Sequence, residues 1–145
     1  MGPRATVPAS PAGYSGTPLP AKLGLKSGQR VLAVNAPAHL PDLLSGAPPD
    51  LDWLARAAAF DVALVFVTDR AALAREFLRL SPKLPDAGMI WIAWPKKTSG
   101  VVTELTEDVV RVAGLAAALV DVKVCAIDAT WSGLKFVRRL RDRVT

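Results

Sequence analysis

Six consecutive apolar residues, Met89-Ile90-Trp91-Ile92-Ala93-Trp94, stand between Gly88 and Pro95. A strand of this composition must be covered on both faces, as a central parallel strand flanked by helices is. Proline ends it, because it has no amide hydrogen for a sheet ladder. The next five residues, Lys96-Lys97-Thr98-Ser99-Gly100, bring two cations, two hydroxyls and a flexible hinge. In open α/β sheets ligands sit beyond the carboxyl ends of the strands. The stretch therefore predicts an inner strand and, at its end, a rim loop suited to a small anion. The plainer reading of the loop is a solvated connector whose lysines keep the rim soluble.

The rest of the chain alternates in the same way. Residues 30–36 (RVLAVNA) read as a first strand, rich in branched residues and closed by Pro37. A proline at 37 or 41 can open a short helix through Leu40, Leu43 and Leu44, ending at Gly46. Residues 51–54 read as a short strand, with a helical alternative over 56–60. Residues 61–68 (DVALVFVT) are a second buried strand. Asp69 then suits an N-cap, and Leu73, Phe77 and Leu80 recur at helical spacing over 70–80, before Pro82. Thr103 or Thr106 can cap a further helix with Glu104, Glu107 and Asp108 near its positive end. Its expected apolar stripe is Val109, Val112, Ala113 and Ala116, and Gly114 is expected to weaken its centre. Residues 121–128 and 134–139 read as two strands pairing in an antiparallel edge hairpin. Near the start, Leu19 and Leu23 can staple a single helical turn that ends at Gly24.

Composition limits the rest. A chain of 145 residues supports one full core. Residues 1–12, rich in Pro, Ala, Gly and Ser, read as a disordered arm, 13–140 as one α/β domain, and 141–145 as a basic tail. No apolar run approaches the roughly 18 residues of a membrane span. The N-terminus shows no hydrophobic signal region, so a cytoplasmic location is expected. Cys125 is the sole cysteine and His39 the sole histidine. An intrachain disulfide and a cysteine-cluster metal site are thereby excluded, and no metal site is expected. The net charge of +5 favours anionic partners, and is equally an ordinary solubility device.

A crevice is expected where crossovers reverse direction, between the strand at 30–36 and the strand at 61–68. Its rim would hold Asn35, His39, Thr68, Asp69, Arg70, Trp94, Lys96, Lys97, Thr98 and Ser99. His39 and Asp69 are the candidate proton-transfer pair; the alternative is a structural histidine and a helix-capping aspartate. Trp91 and Trp94 lie an odd number of positions apart and so point to opposite faces. Trp91 reads as core, and Trp94 as either a pocket cap or packing under a helix. No nucleophile elbow and no Walker-type glycine loop occurs.

From residue 61 onward the order resembles the second half of a class I S-adenosylmethionine-dependent methyltransferase. PDAGMIWIAW resembles the turn before the fifth strand of those enzymes, and LVDVKVCAID with LKFVRR their closing antiparallel hairpin. The combination GYSGTPLPAKLGLKSGQRVLAVNAP, WPKKTSG, LTEDVVR and VDVKVCAIDATWSGLKFV is similar to an uncharacterised bacterial family. The resemblance implies a three-layer Rossmann-like sandwich: a mostly parallel sheet closed by a C-terminal antiparallel β-hairpin. Two departures stand out. The segment after the first strand, Asn35-Ala36-Pro37-Ala38-His39, lacks the glycines that let the methyltransferase backbone approach its cofactor. The stretch Trp53-Leu54-Ala55-Arg56 lacks the acid that holds the ribose. The expectation is a non-catalytic or degenerate relative, without a cofactor, that binds a small anionic ligand or a protein partner at the rim. The alternatives are an active S-adenosylmethionine-dependent methyltransferase and a nucleic-acid-binding accessory protein, the latter on the arginines at 138, 139, 141 and 143. Self-association through an edge or hairpin, giving a homodimer, is a further option.

Overall fold

The computed structural model describes residues 17–143. The expected arm at 1–12 and the last two residues lie outside them. Six strands form one sheet: β1 Arg30–Val34, β2 Asp52–Leu54, β3 Val62–Phe66, β4 Met89–Pro95, β5 Leu119–Ala126 and β6 Trp131–Arg138. Their order across the sheet is β2-β1-β3-β4-β6-β5. β2, β1, β3 and β4 run parallel, whereas β6 is antiparallel to both β4 and β5. The hairpin therefore forms one edge of the sheet, as expected. Its second strand slots in beside β4 and leaves β5 outermost.

Among the described residues four α-helices cover the two faces, giving three layers: α1 Leu19–Lys22, α2 Leu40–Leu43, α3 Arg70–Leu80 and α4 Glu107–Ala116. Strand alternation sorts the core into two halves. Leu32, Ala63, Val65, Ile90, Ile92, Trp94, Leu134 and Phe136 meet Leu73, Phe77 and Leu80 of α3 and Val110 of α4. Val31, Val62, Leu64, Phe66, Trp91 and Ala93 meet Leu23, Leu40 and Leu44 on the side of α1 and α2. All residues of β3 and β4 are buried, as their continuous apolar runs require. Each large side chain so buried contributes roughly 1.5–3 kcal/mol. The indole of Trp91 donates to the Leu23 carbonyl at 3.0 Å, which ties the end of α1 to the sheet centre.

Several expectations need correcting. Residues 56–60 are not helical; β2 is followed by bends that lead directly to β3. β4 includes Pro95, which pairs with Trp131 at the end of the ladder. The inward face of α4 is shifted from the stripe at 109, 112, 113 and 116: Val109 and Ala113 pack against the core, but Val110 and Gly114 are the buried residues, while Ala116 is exposed and Val112 is 64% exposed. The reason lies at Gly114, where an added Cβ would stand 2.0 Å from the Phe136 ring. The glycine lets the helix settle on that ring and does not end it. Arg138, one of the arginines considered for nucleic acid, instead donates to the carbonyls of Leu84 and Ser81 at 2.7 and 2.8 Å.

Candidate functional site

Because β1, β3 and β4 are parallel, their carboxyl ends share one rim of the sheet. The chain leaves β1 towards β2 and returns to β3 on the other side of β1, so the direction changes between β1 and β3. The segments carrying Asn35 and His39, Thr68 and Asp69, and residues 96–99 all follow strand ends on this rim.

Local chemistry explains each position. Asn35 takes φ 55°, a left-handed conformation in which asparagine is one of the few tolerated side chains. This sharp exit turns the chain towards α2. His39 sits at the start of α2, and its ring Nε2 lies 2.9 Å from Asp128 Oδ2 in the β5–β6 turn. Asp128 Oδ1 also accepts from the amides of Thr130 and Trp131, both at 2.8 Å. Burial raises the Asp128 carboxyl's pKa, but the His39 hydrogen bond and the two amides outweigh that and hold it below its ordinary range. The expected partner of His39, Asp69, is elsewhere: its side chain accepts from the Ala72 amide at 2.7 Å and caps α3. An unsatisfied amide at a helix start captures such a carboxylate locally.

The loop after β4 is built from its own polar groups. Its entry is fixed by the Lys96 amide, which donates to the Thr130 carbonyl at 2.8 Å. Ser99 Oγ donates to the Lys96 carbonyl at 2.6 Å and accepts from the Val101 amide at 3.2 Å, so that hydroxyl is committed to the turn. Gly100 closes the turn at φ 82°. Beyond it, Thr103 Oγ donates to the Thr68 carbonyl, and Glu104 lies 3.8 Å from Arg70, which anchors the segment over the end of β3. Trp94 does not stand open at the rim. It is 6% exposed, in the core on the α3–α4 side.

The rim is thus electrostatically uneven. Asp69, Glu104 and Asp128 each already have partners. Among the described residues, neither Lys96 nor Lys97 has an ion-pair partner. Lys97 is exposed and Lys96 half-buried. No group of three or more His, Cys, Asp or Glu residues among the described residues could hold a metal ion. An apolar cavity of about 410 Å³ lies between α2 and the β1–β2 edge, lined by Ala33, Leu40, Leu44, Leu51 and Trp53 among others, and by none of the candidate rim residues. Sequence reasoning did not anticipate this cavity or the role of Asp128. The Asp-x-Thr spacing before β6 was a readable signal of a turn in which the side chain caps amides, but not of a contact with His39.

For S-adenosylmethionine, the two expected holding elements do not fit. The turn after β1 contains Ala36 and Pro37 where close backbone approach needs glycine, and residues 54–56 after β2 carry no acid. Between β2 and β3 no further helix or strand intervenes.

These features define a Rossmann-like fold of the class I methyltransferase type in shortened form. It is similar to a SAM-dependent methyltransferase from Aquifex aeolicus, with a TM-score of 0.62 and 14% identity over 80% of this chain and 85% of that one. It is likewise similar to CalO1, a methyltransferase of calicheamicin biosynthesis in its SAH-bound form, with a TM-score of 0.61 and 13% identity over 84% of this chain and 52% of that one. An O-methyltransferase family 2 protein from Planctomyces limnophilus, in complex with apigenin, gives 0.57 and 15% over 78% and 50%. The chain spans about half the length of the last two. No protein-family model matches the chain, and no curated protein matches it. No helix among the described residues is long and apolar enough to cross a membrane.

Proposed function

We propose that this protein is a methyltransferase-like scaffold with an incomplete cofactor seat that binds a small anion at the rim formed by residues 96–100. One observation carries the reading: among the described residues Lys96 and Lys97 lack ion-pair partners, while Asp69, Glu104 and Asp128 are engaged. Two ammonium groups beside a strand end attract a phosphate or carboxylate, and the uncapped charge is the attraction. Asn35 and His39 border the same rim, and Thr98 adds a hydroxyl. The alternative occupant of this surface is a protein partner with an acidic segment.

Titration calorimetry with S-adenosylmethionine, S-adenosylhomocysteine and nucleotides tests the reading. A nucleotide or other anion should bind, and the double variant Lys96→Ala/Lys97→Ala should lose that binding with little change in melting temperature. Unchanged affinity in the variant would clear the loop of the role.

Active methyl transfer is the second reading, favoured by the fold and by a similar structure solved with SAH bound. Tight binding of S-adenosylmethionine or S-adenosylhomocysteine would replace the degenerate reading with this one. Nucleic-acid binding is weakened by the arginines of the C-terminal region: Arg138 is engaged with carbonyls and Arg139 pairs with Asp142 at 2.8 Å. A gel-shift assay at low salt, showing no complex, would remove it, because phosphate contacts are salt-sensitive.

A further inference from the structure

Away from the rim, on the α1 side of the hairpin, two lysines face each other across a ladder. Lys123 of β5 is in direct register with Lys135 of β6. Like charges directly opposite on one face of an antiparallel pair repel. On its other side Lys135 is in register with Trp91, whose ring belongs to the α1–α2 half of the core, so the pair projects to that face. Lys123 donates to the Lys22 carbonyl at 3.2 Å, which draws its ammonium towards α1. Neither Lys123, Lys135 nor Lys26 has a carboxylate partner among the described residues. Burial, and then the charges of Lys123 and Lys26, push the Lys135 ammonium below its ordinary pKa.

A groove of about 360 Å³ opens beside this cluster, at the outer strand of the sheet. Its walls include Ala21, Lys22, Lys123, Cys125 and Ala126. Cations are thus brought together at the edge of a groove with an apolar floor.

We infer that the groove between α1 and β5 is a binding site for a phosphate monoester with a small apolar body, held by Lys123 at its wall, with Lys135 in register beside Lys123 adding its charge from outside the lining. A dianion relieves the repulsion between two opposed ammonium groups, whereas a single carboxylate neutralises only one. Lysine serves as a point-charge phosphate ligand. The apolar walls accept the organic part of the ester, and the volume is within the range of small-molecule sites. This site does not depend on the rim reading, since it uses none of residues 96–100.

The test is the melting temperature of the full chain in phenyl phosphate against sodium chloride at matched ionic strength. Wild type should gain at least about 3 °C at saturating ligand. Lys96→Ala/Lys97→Ala, whose rim charges are gone, should keep a gain, and adding Lys123→Met/Lys135→Met to that variant should abolish it. Lys123→Gln alone, at an exposed position, should raise the half-saturating concentration at least about fivefold, and it keeps the test open should the combined variant not fold. No gain in wild type, a gain retained when Lys123→Met/Lys135→Met is added to Lys96→Ala/Lys97→Ala, or an unchanged half-saturating concentration in Lys123→Gln would each overturn the proposal. A gain lost already in Lys96→Ala/Lys97→Ala would move the ester to the rim, which also overturns it.

Discussion

The ring of Phe136 occupies the space that a side chain on Gly114 would need, with Cε1 2.0 Å from where a Cβ would stand. Phe136 cannot move aside readily. It is fully buried and meets Phe77 edge to face, with ring centroids 5.1 Å apart. Gly114→Ala would raise helix propensity by about 1 kcal/mol in an exposed helix. Here overpacking should prevail, for a net loss of roughly 1–3 kcal/mol. Urea denaturation of the variant measures it; a gain in stability would show that α4 can lift off the sheet.

Asp128 anchors the β5–β6 turn through three donors, and its side chain is only 16% exposed. Asp128→Ala leaves those donors without their acceptor and should cost about 1–3 kcal/mol. His39 is 50% exposed on its side of the pair, so His39→Ala should cost less than about 1 kcal/mol. Chemical denaturation of the two variants side by side checks the order. An equal or larger loss for His39→Ala would mean that the histidine, not the turn, holds the contact.

For Asp69 the geometry assigns a helix cap and no link to His39. Asp69→Ala should destabilise by about 1 kcal/mol and Asp69→Ser should recover most of it, since either oxygen can accept from the freed amide. Faster hydrogen exchange at the Ala72 amide in the alanine variant would localise the effect.

The Arg30 side chain, then the Arg30 amide, hold the Asp61 carboxyl below its usual range against the opposing effect of burial. A carboxylate with a depressed native pKa stabilises the fold fully above its unfolded value of about 3.9. That contribution is lost as pH falls through the lower native value. The urea midpoint of wild type minus that of Asp61→Asn should therefore be largest near neutral pH and shrink as pH drops below about 4. A difference that stays constant with pH would show that the ion pair is not what the substitution removes.

Much of the fold was readable because its signals are local. α3 needs only a capping Asp69, apolar residues at 73, 77 and 80, and a following Pro82, and it spans Arg70–Leu80 as its pattern implies. The unbroken apolar runs of β3 and β4 announced strands covered on both faces. The face of α4 was only partly readable, since Val109 and Ala113 do pack on the core, but exposed Val112 is as apolar as Val110, which is buried. Only the close approach to Phe136 selects Val110 and Gly114.

By itself, then, the sequence determined where the elements lie, which strands are inner, and that a basic loop follows β4, because caps, prolines and periodicity act over a few residues. Tertiary structure alone decided that β6 lies between β4 and β5, that His39 meets an aspartate 89 positions away, and that Lys123 faces Lys135. Those outcomes depend on strand order and register, which are set by burying both faces of the sheet at once and leave no mark in any short stretch of chain.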